Sequence, residues 1–370
     1  MVRFQKLYRD SSKLGNLFIF LPAETGFSSE SPRTSFPKLP RSQQSPRFQP
    51  PLHAGRPRRP PDPFTAVGFS MTVMIGSSRR RLPYILMDVF TDRPLEGNQL
   101  AIFTDARGLA TDEMQALARE MNLSETTFIL PREAEQESRE GTRVRIFTVE
   151  EELPFAGHPT LGTAYYLHRF GGSPEIWLDL KIGKIPVRFR AEDTEKSFGE
   201  MRQRDPQAGT IHDKKQIARA AGLAPDEISP DLPVQTFSTG LPFIIVPVTS
   251  LAAIRRVGSW INLADYLTRS DGKFFYFVTR ETIDARSKLH ARMPFYKGDD
   301  PATGSAAGCC AAWMVMHGVL ARGETAIIEQ GIEVHRPSRI YVRAEKSGDQ
   351  VVNVHVGGYC VEVARGEIWI

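Results

Sequence analysis

Apolar residues fall along this chain in short runs of two kinds, and their spacing predicts alternating strands and helices from about residue 83 onward. Residues 83–90 and 99–103 read as strands separated by a turn at Asp92-Arg93-Pro94. Met114, Leu117, Ala118 and Met121 recur at helical spacing, with Thr111 as the expected N-cap and Asp112 and Glu113 in the first turn. Strands follow at 126–130 and 143–148, the second alternating in the period of a half-buried strand. A helix is expected over 158–170, closed by Gly171-Gly172, and then strands at 176–180 and 185–191. The second half repeats this economy. A helix near 213–221 precedes strands at 243–248 and 274–279, an apolar segment at 289–296 and a helical segment at 309–320. Strands near 325–329, 339–345, 351–356 and 359–363 close the chain. Mixed strands around two small-residue-rich helices predict an α+β architecture of two similar lobes, 82–200 and 201–370. The boundary is expected within 194–212, where Glu, Lys, Gly and Pro accumulate, with the last strands free to return to the first lobe.

Charge divides the chain differently. Of its 370 residues, 1–81 hold 14 Lys and Arg against 4 Asp and Glu, whereas 82–370 hold 33 against 39. Residues 28–66 are rich in Ser, Pro and Arg and lack apolar periodicity, so 1–81 reads as a basic, disordered extension. An organelle transit peptide, an arm for an acidic partner, or a plain tail upstream of a true start at Met71 would each fit it, and the plain tail fits best. The apolar run 17–22 is too short to span a membrane. Three cysteines, two of them adjacent, make no disulfide framework. The eight histidines show no metal-ligand spacing, and neither a dinucleotide fingerprint nor a phosphate loop occurs, so neither metal nor cofactor is expected. Nucleic acid and membrane are likewise not expected as partners, and the cytoplasm is the expected location, with organelle targeting by the extension as the alternative.

Two segments share one design. Asp299-Asp300-Pro301-Ala302-Thr303-Gly304-Ser305-Ala306 places two carboxylates and a small-residue turn against a helix. Phe155-Ala156-Gly157-His158-Pro159-Thr160 does the same with a histidine. The first turn of a helix carries unpartnered N–H groups and partial positive charge, so each segment reads as an anion-binding helix start. Facing one another, they would bring two titratable groups to one cleft and suit proton chemistry beside a substrate carboxylate. Taken singly, Asp300, Thr303 and Ser305 are ordinary turn or capping residues, and His158 fits a core hydrogen bond equally well.

The motifs together resemble the PhzF-like family of phenazine-biosynthesis isomerases. The matching stretches are Asp88-Val89-Phe90-Thr91, Pro94-Leu95-Glu96-Gly97-Asn98, Asn122-Leu123-Ser124-Glu125-Thr126-Thr127-Phe128 and Arg145-Ile146-Phe147-Thr148. They continue in family order with 153–164, Ser238-Thr239-Gly240-Leu241-Pro242-Phe243, 300–306, and Glu329-Gln330-Gly331 with Arg336-Pro337-Ser338. The resemblance implies a diaminopimelate-epimerase fold, two pseudo-symmetric lobes that each wrap a curved sheet round a central helix. It implies a cofactor-independent isomerase with Glu125 as the acid/base residue and His158 and Asp300 as its partners. Asn98, Gly157, Thr303, Gly304 and Ser305 would bind a small carboxylate substrate, and a second copy of the chain would complete a homodimer. Gln99 stands where the family usually has proline, and His335 where glycine commonly precedes Arg-Pro-Ser. Two other readings compete: a two-thiol racemase on the same fold, disfavoured because neither helix start carries a cysteine, and a binding protein without turnover.

Overall fold

The computed structural model describes residues 79–191, 196–258, 260–296 and 298–370, without the side chains of 260–262. The architecture below belongs to the unit 74–370. All but the last three residues of the basic extension, 1–81, lie outside the described residues.

The first half runs β1 (Arg81–Val89), β2 (Asn98–Phe103), α1 (Thr111–Met121), β3 (Glu125–Leu130), α2 (Ala134–Glu140) and β4 (Thr142–Phe147). It continues with β5 (Glu152–Leu153), α3 (Gly157–Gly171), β6 (Glu175–Leu180), β7 (Gly183–Ala191) and β8 (Ser197–Arg202). Next come β9 (Gln207–Ile211), α4 (Lys214–Ala221), β10 (Gln235–Ser238), β11 (Pro242–Pro247), α5 (Leu251–Arg255) and α6 (Trp260–Leu267). Then follow β12 (Phe274–Thr279), β13 (Leu289–Arg292), the ribbon β14 (Pro294–Phe295) and β15 (Gly298–Asp299), and α7 (Gly304–Met316). The chain ends with β16 (Ala326–Gln330), β17 (Ser338–Ser347), β18 (Gln350–Gly358) and β19 (Cys360–Trp369).

The pairings reveal an internal repeat. From β1 through β2, β3, β4, β6 and β7 to β8, neighbours pair antiparallel, parallel, antiparallel, parallel, antiparallel and antiparallel. From β10 through β11, β12, β13, β16 and β17 to β18, the same six pairings recur in the same order. Both parallel links in each half are helical crossovers, and α3 and α7 occupy the second one. Antiparallel pairing of β8 with β18 joins the halves into one sheet, while β19 flanks β1 and β9 flanks β10. This is an α+β fold in which α3 packs on β1, β2, β3, β6, β7 and β8, and α7 on β10, β11, β17 and β18. Among the described residues no helix is long and apolar enough to cross a membrane.

Enclosure explains the composition of the two helices. Every residue of α7 from Gly304 to Val315 is buried, and a helix surrounded on all sides needs small or apolar side chains all round. α3 is buried from Gly157 to Tyr165 and turns polar beyond, at His168 and Arg169, where it leaves the sheet.

The structure differs from the pattern-based expectation in three places. Thr111 is the first residue of α1, not its cap. The extended Ala110 precedes it, Glu113 Oε2 accepts from the Ala110 N–H at 2.7 Å, and Thr111 Oγ1 instead accepts from Arg145 Nη1 at 3.1 Å. α7 starts at Gly304 and ends at Met316, ahead of the expected 309–320. The stretch 194–212 holds two strands that the pattern does not predict, β8 and β9, one of them central to the sheet. Gly199 hides β8 from periodicity. A Cβ there would stand 2.6 Å from the Phe189 ring and 2.7 Å from Leu161, so close packing of strand on helix excludes a larger residue.

Candidate active site

The helices α3 and α7 meet at their N-terminal ends. A Cβ on Gly157 would lie 2.6 Å from the Ser305 nitrogen and 2.7 Å from the Gly304 carbonyl carbon, so the two backbones touch. Among the described residues no side chain caps either start. The first-turn N–H groups around Gly157 and His158 and around Gly304 and Ser305 therefore converge, with two positive helix ends behind them. Phe90, fully buried with φ of 66° directly after β1, packs its ring against Gly304 and walls the junction.

Three titratable groups gather at this junction. Glu125 opens β3 at 8% exposure, His158 lies in the first turn of α3 at 2%, and Asp300 precedes α7 at 5%. Glu125 Oε2 stands 3.6 Å from His158 Nδ1. Both Glu125 Oε2 and His158 Nε2 are buried without a hydrogen-bond partner among the described residues, a costly state that native proteins keep for a reason. Burial drives the His158 pKa down to about 3, with the Gln99 backbone pulling the other way, so the imidazole is neutral and its contact with Glu125 is not an ion pair. Asp300 Oδ1 accepts from Asn98 Nδ2 and from Ser124 Oγ, each at 2.8 Å, and Oδ2 accepts from Thr303 Oγ1 at 2.6 Å. Burial raises its pKa to about 6 against the pull of those three donors. Among the described residues Glu125 has no such donors. Burial, and then the neighbouring Asp300 charge, push its pKa well above the ordinary glutamate range. Of the pair, Asp300 ionises first and Glu125 keeps the proton longer.

The structure also assigns inward work to residues expected at the substrate. Asn98 Nδ2 reaches Asp300 Oδ1, the Ala302 carbonyl at 2.9 Å and His158 Nδ1 at 3.2 Å, and so ties the two helix starts together. Thr303 spends its hydroxyl on Asp300 and its N–H on Gln330 Oε1 at 3.1 Å, so it supports the carboxylate instead of offering a donor to ligand. Gly157, Gly304 and Ser305 do border the junction through their backbones. Ser124, Gln330 and Tyr276 went unassigned in the sequence, although Ser124 and Gln330 lie inside the motifs quoted above.

Arg336 explains a third motif. It donates to the Glu96 carbonyl at 2.6 Å and the Gly97 carbonyl at 2.8 Å, and pairs with the buried Asp88 carboxylate. Asp88 in turn accepts from the Leu95 N–H at 2.7 Å, which closes the loop that delivers Asn98. His335 beside it has φ of 58°, the left-handed conformation that glycine adopts without strain. Removing one partner of a buried pair leaves the other uncompensated. Arg336→Met is therefore expected to lower unfolding stability by roughly 3–5 kcal/mol in a denaturant titration. Unchanged stability would show that the loop holds without it.

The thiols stand apart from this chemistry. Cys309 and Cys310 are fully buried within α7, and burial raises both pKa values, that of Cys309 to about 11. Among the described residues no group of three or more His, Cys, Asp or Glu is arranged to hold a metal ion.

With the geometry in place, comparison with known proteins gives a consistent set of relatives. The family model described as "Phenazine biosynthesis-like protein" matches residues 87–366. A Mesorhizobium japonicum protein described as an uncharacterized isomerase is 37% identical over 313 residues, covering 78% of this chain and 98% of the relative. The trans-2,3-dihydro-3-hydroxyanthranilate isomerase of Pseudomonas aeruginosa is 32% identical, covering 78% of this chain and 99% of that enzyme. Among solved structures, the Bacillus anthracis phenazine biosynthesis protein of the PhzF family superposes with a TM-score of 0.69 at 27% identity, covering 79% of this chain and all of that one.

Proposed function

This chain belongs to the phenazine biosynthesis-like family and is an isomerase; on that premise we propose that Glu125 moves a proton between two carbons of a small carboxylate-bearing metabolite. The observation that carries this reading is Glu125 itself. It is a buried carboxyl with an unpartnered oxygen and a raised pKa, placed where two uncapped helix starts meet. A carboxyl that exchanges its proton nearer to neutrality can both take and return one.

In the proposed reaction the substrate carboxylate lies against the N–H groups of Gly157, His158, Gly304 and Ser305. The Glu125 carboxylate removes a proton from carbon, and the electron pair delocalises into the substrate's conjugated system under the field of the two helix ends. The same carboxyl then delivers the proton to a second carbon, so no atom is gained or lost. Neutral His158 and ionised Asp300 orient the amino or hydroxyl group of the substrate. The repeat supports a single base. Glu125 opens β3, and its counterpart at the start of β12 is the buried, apolar Phe274. An inverting two-base racemase needs a proton carrier on each face of the carbon, and the buried thiols do not supply one.

The test is solvent-deuterium incorporation into a panel of small α,β-unsaturated and β-hydroxy amino acids, including trans-2,3-dihydro-3-hydroxyanthranilate, the compound named for the Pseudomonas aeruginosa relative. Exchange is expected into at least one member, together with an isomerised product. A full panel without exchange would refute the isomerase reading of this site.

A further inference from the structure

The hydrogen-bond chain behind Asp300 has a direction that its donors fix atom by atom. Gln330 ends β16 fully buried, and its amide makes four contacts. Nε2 donates to the Asp300 carbonyl at 2.7 Å and to Thr303 Oγ1 at 2.9 Å. Oε1 accepts from Tyr276 OH at 3.0 Å and from the Thr303 N–H at 3.1 Å. A backbone N–H can only donate, so the amide oxygen must face Thr303 N and the amide nitrogen must face Thr303 Oγ1. A hydroxyl that accepts there has its single proton free for Asp300 Oδ2, 2.6 Å away. If Thr303 accepted from both sides, its own buried proton would be left unpaired, at a cost. Oδ2 is thus an acceptor only. At Oδ1 one donor, the Asn98 amide, cannot reverse, but the other is the Ser124 hydroxyl, which can turn.

We propose that Gln330 is a positioning residue: by fixing the Thr303 hydroxyl it makes Asp300 Oδ2 a permanent acceptor, so a proton taken up by Asp300 resides on Oδ1 while Ser124 turns from donor to acceptor. Ser124 directly precedes Glu125, so the protonation state of one carboxyl is read by the residue that leads into the other. The catalytic weight of this device rests on the reading of Asp300 as a partner of Glu125. The hydrogen-bond assignment does not.

The experiment is a carbon-13 NMR titration of the Asp300 carboxyl in the full chain labelled at aspartate, run beside the pH dependence of turnover. Thr303→Val removes a donor that favours the ionised form and raises the Asp300 midpoint by about one pH unit. Ser124→Ala removes a group that serves both protonation states, so its shift is less than about half as large. Gln330→Glu turns the donor facing Thr303 into an acceptor and raises the midpoint in the native background, but adds little once Thr303 is valine. A Ser124→Ala shift as large as that of Thr303→Val overturns the proposal. So does a Gln330→Glu shift of equal size with and without the Thr303 hydroxyl, since direct charge would then explain it. If the Asp300 midpoint moves as stated while turnover does not follow, the assignment stands and the role of Asp300 in the reaction falls.

Discussion

Glu125→Gln is expected to cut turnover by roughly 10²–10⁴-fold, the usual contribution of a positioned acid/base group, while making the folded chain more resistant to unfolding at neutral and alkaline pH. The two effects share one cause. The introduced glutamine is isosteric and uncharged, so it fills the same space beside His158 without the burden of ionising there. The sign follows from the raised pKa. In the fold Glu125 holds its proton at a pH where the unfolded chain has already lost it. Its burial therefore costs nothing extra below the ordinary glutamate value, and stability drains away as pH rises towards the folded value. Asp300, raised to about 6, drains stability in the same direction between the ordinary aspartate value and about 6. The stability gap between Glu125→Gln and the native chain should accordingly be small near pH 4 and widen through neutrality, as melting curves in a pH series would show. Retained turnover would remove Glu125 from the mechanism. A gap that stays flat with pH would mean that Glu125 ionises as freely in the fold as in water.

That carboxyl was legible in the sequence only through its motif. Nothing in the local pattern sets a glutamate between a helix and a strand apart from a solvated one. Its environment is built by β2, α3 and the 299–303 turn, which come together only in three dimensions. Fully buried strands were legible, with those at 274–279 and 243–248 found to within a residue, because both of their faces pack into apolar clusters and the run is apolar almost throughout. The short helices α2 and α5 were not. α2 buries no residue and leaves no apolar stripe to read, and α5 covers a single turn. The pattern places the start of α7 late because Gly304, Ser305 and Gly308 have poor helix propensity, and enclosure by the sheet overrides it. The sequence pattern does not single out Ser124, Tyr276 or Gln330, for a related reason. Each acts through a hydrogen bond to a residue distant in sequence, and single-chain spacing carries no record of such a partner.

Gly157→Ala is expected to cut turnover far more than its single added carbon suggests. The added methyl would meet backbone, at 2.6 Å from Ser305 N and 2.7 Å from the Gly304 carbonyl carbon, and no side chain can swing away to admit it. The ends of α3 and α7 would have to part by an appreciable fraction of an ångström, against a sheet that holds both helices along their length. Overpacking of this kind costs roughly 1–3 kcal/mol, readable as a lowered melting temperature. The larger effect falls on turnover, because His158 is the next residue and the N–H groups of both helix starts shift with the backbone. A misplacement approaching 1 Å is worth about 10²-fold in rate. Gly304→Ala provides the comparison. Its methyl would meet the tip of the Phe90 ring at 2.8 Å and the Gly157 Cα only at 3.3 Å, so a side-chain adjustment absorbs much of the strain. Gly157→Ala should therefore lose turnover by at least about tenfold more than Gly304→Ala at comparable folded fraction. If the two variants proved equal, or Gly304→Ala the worse, the contact between the helix starts would not be what sets the geometry of the proton-transfer site.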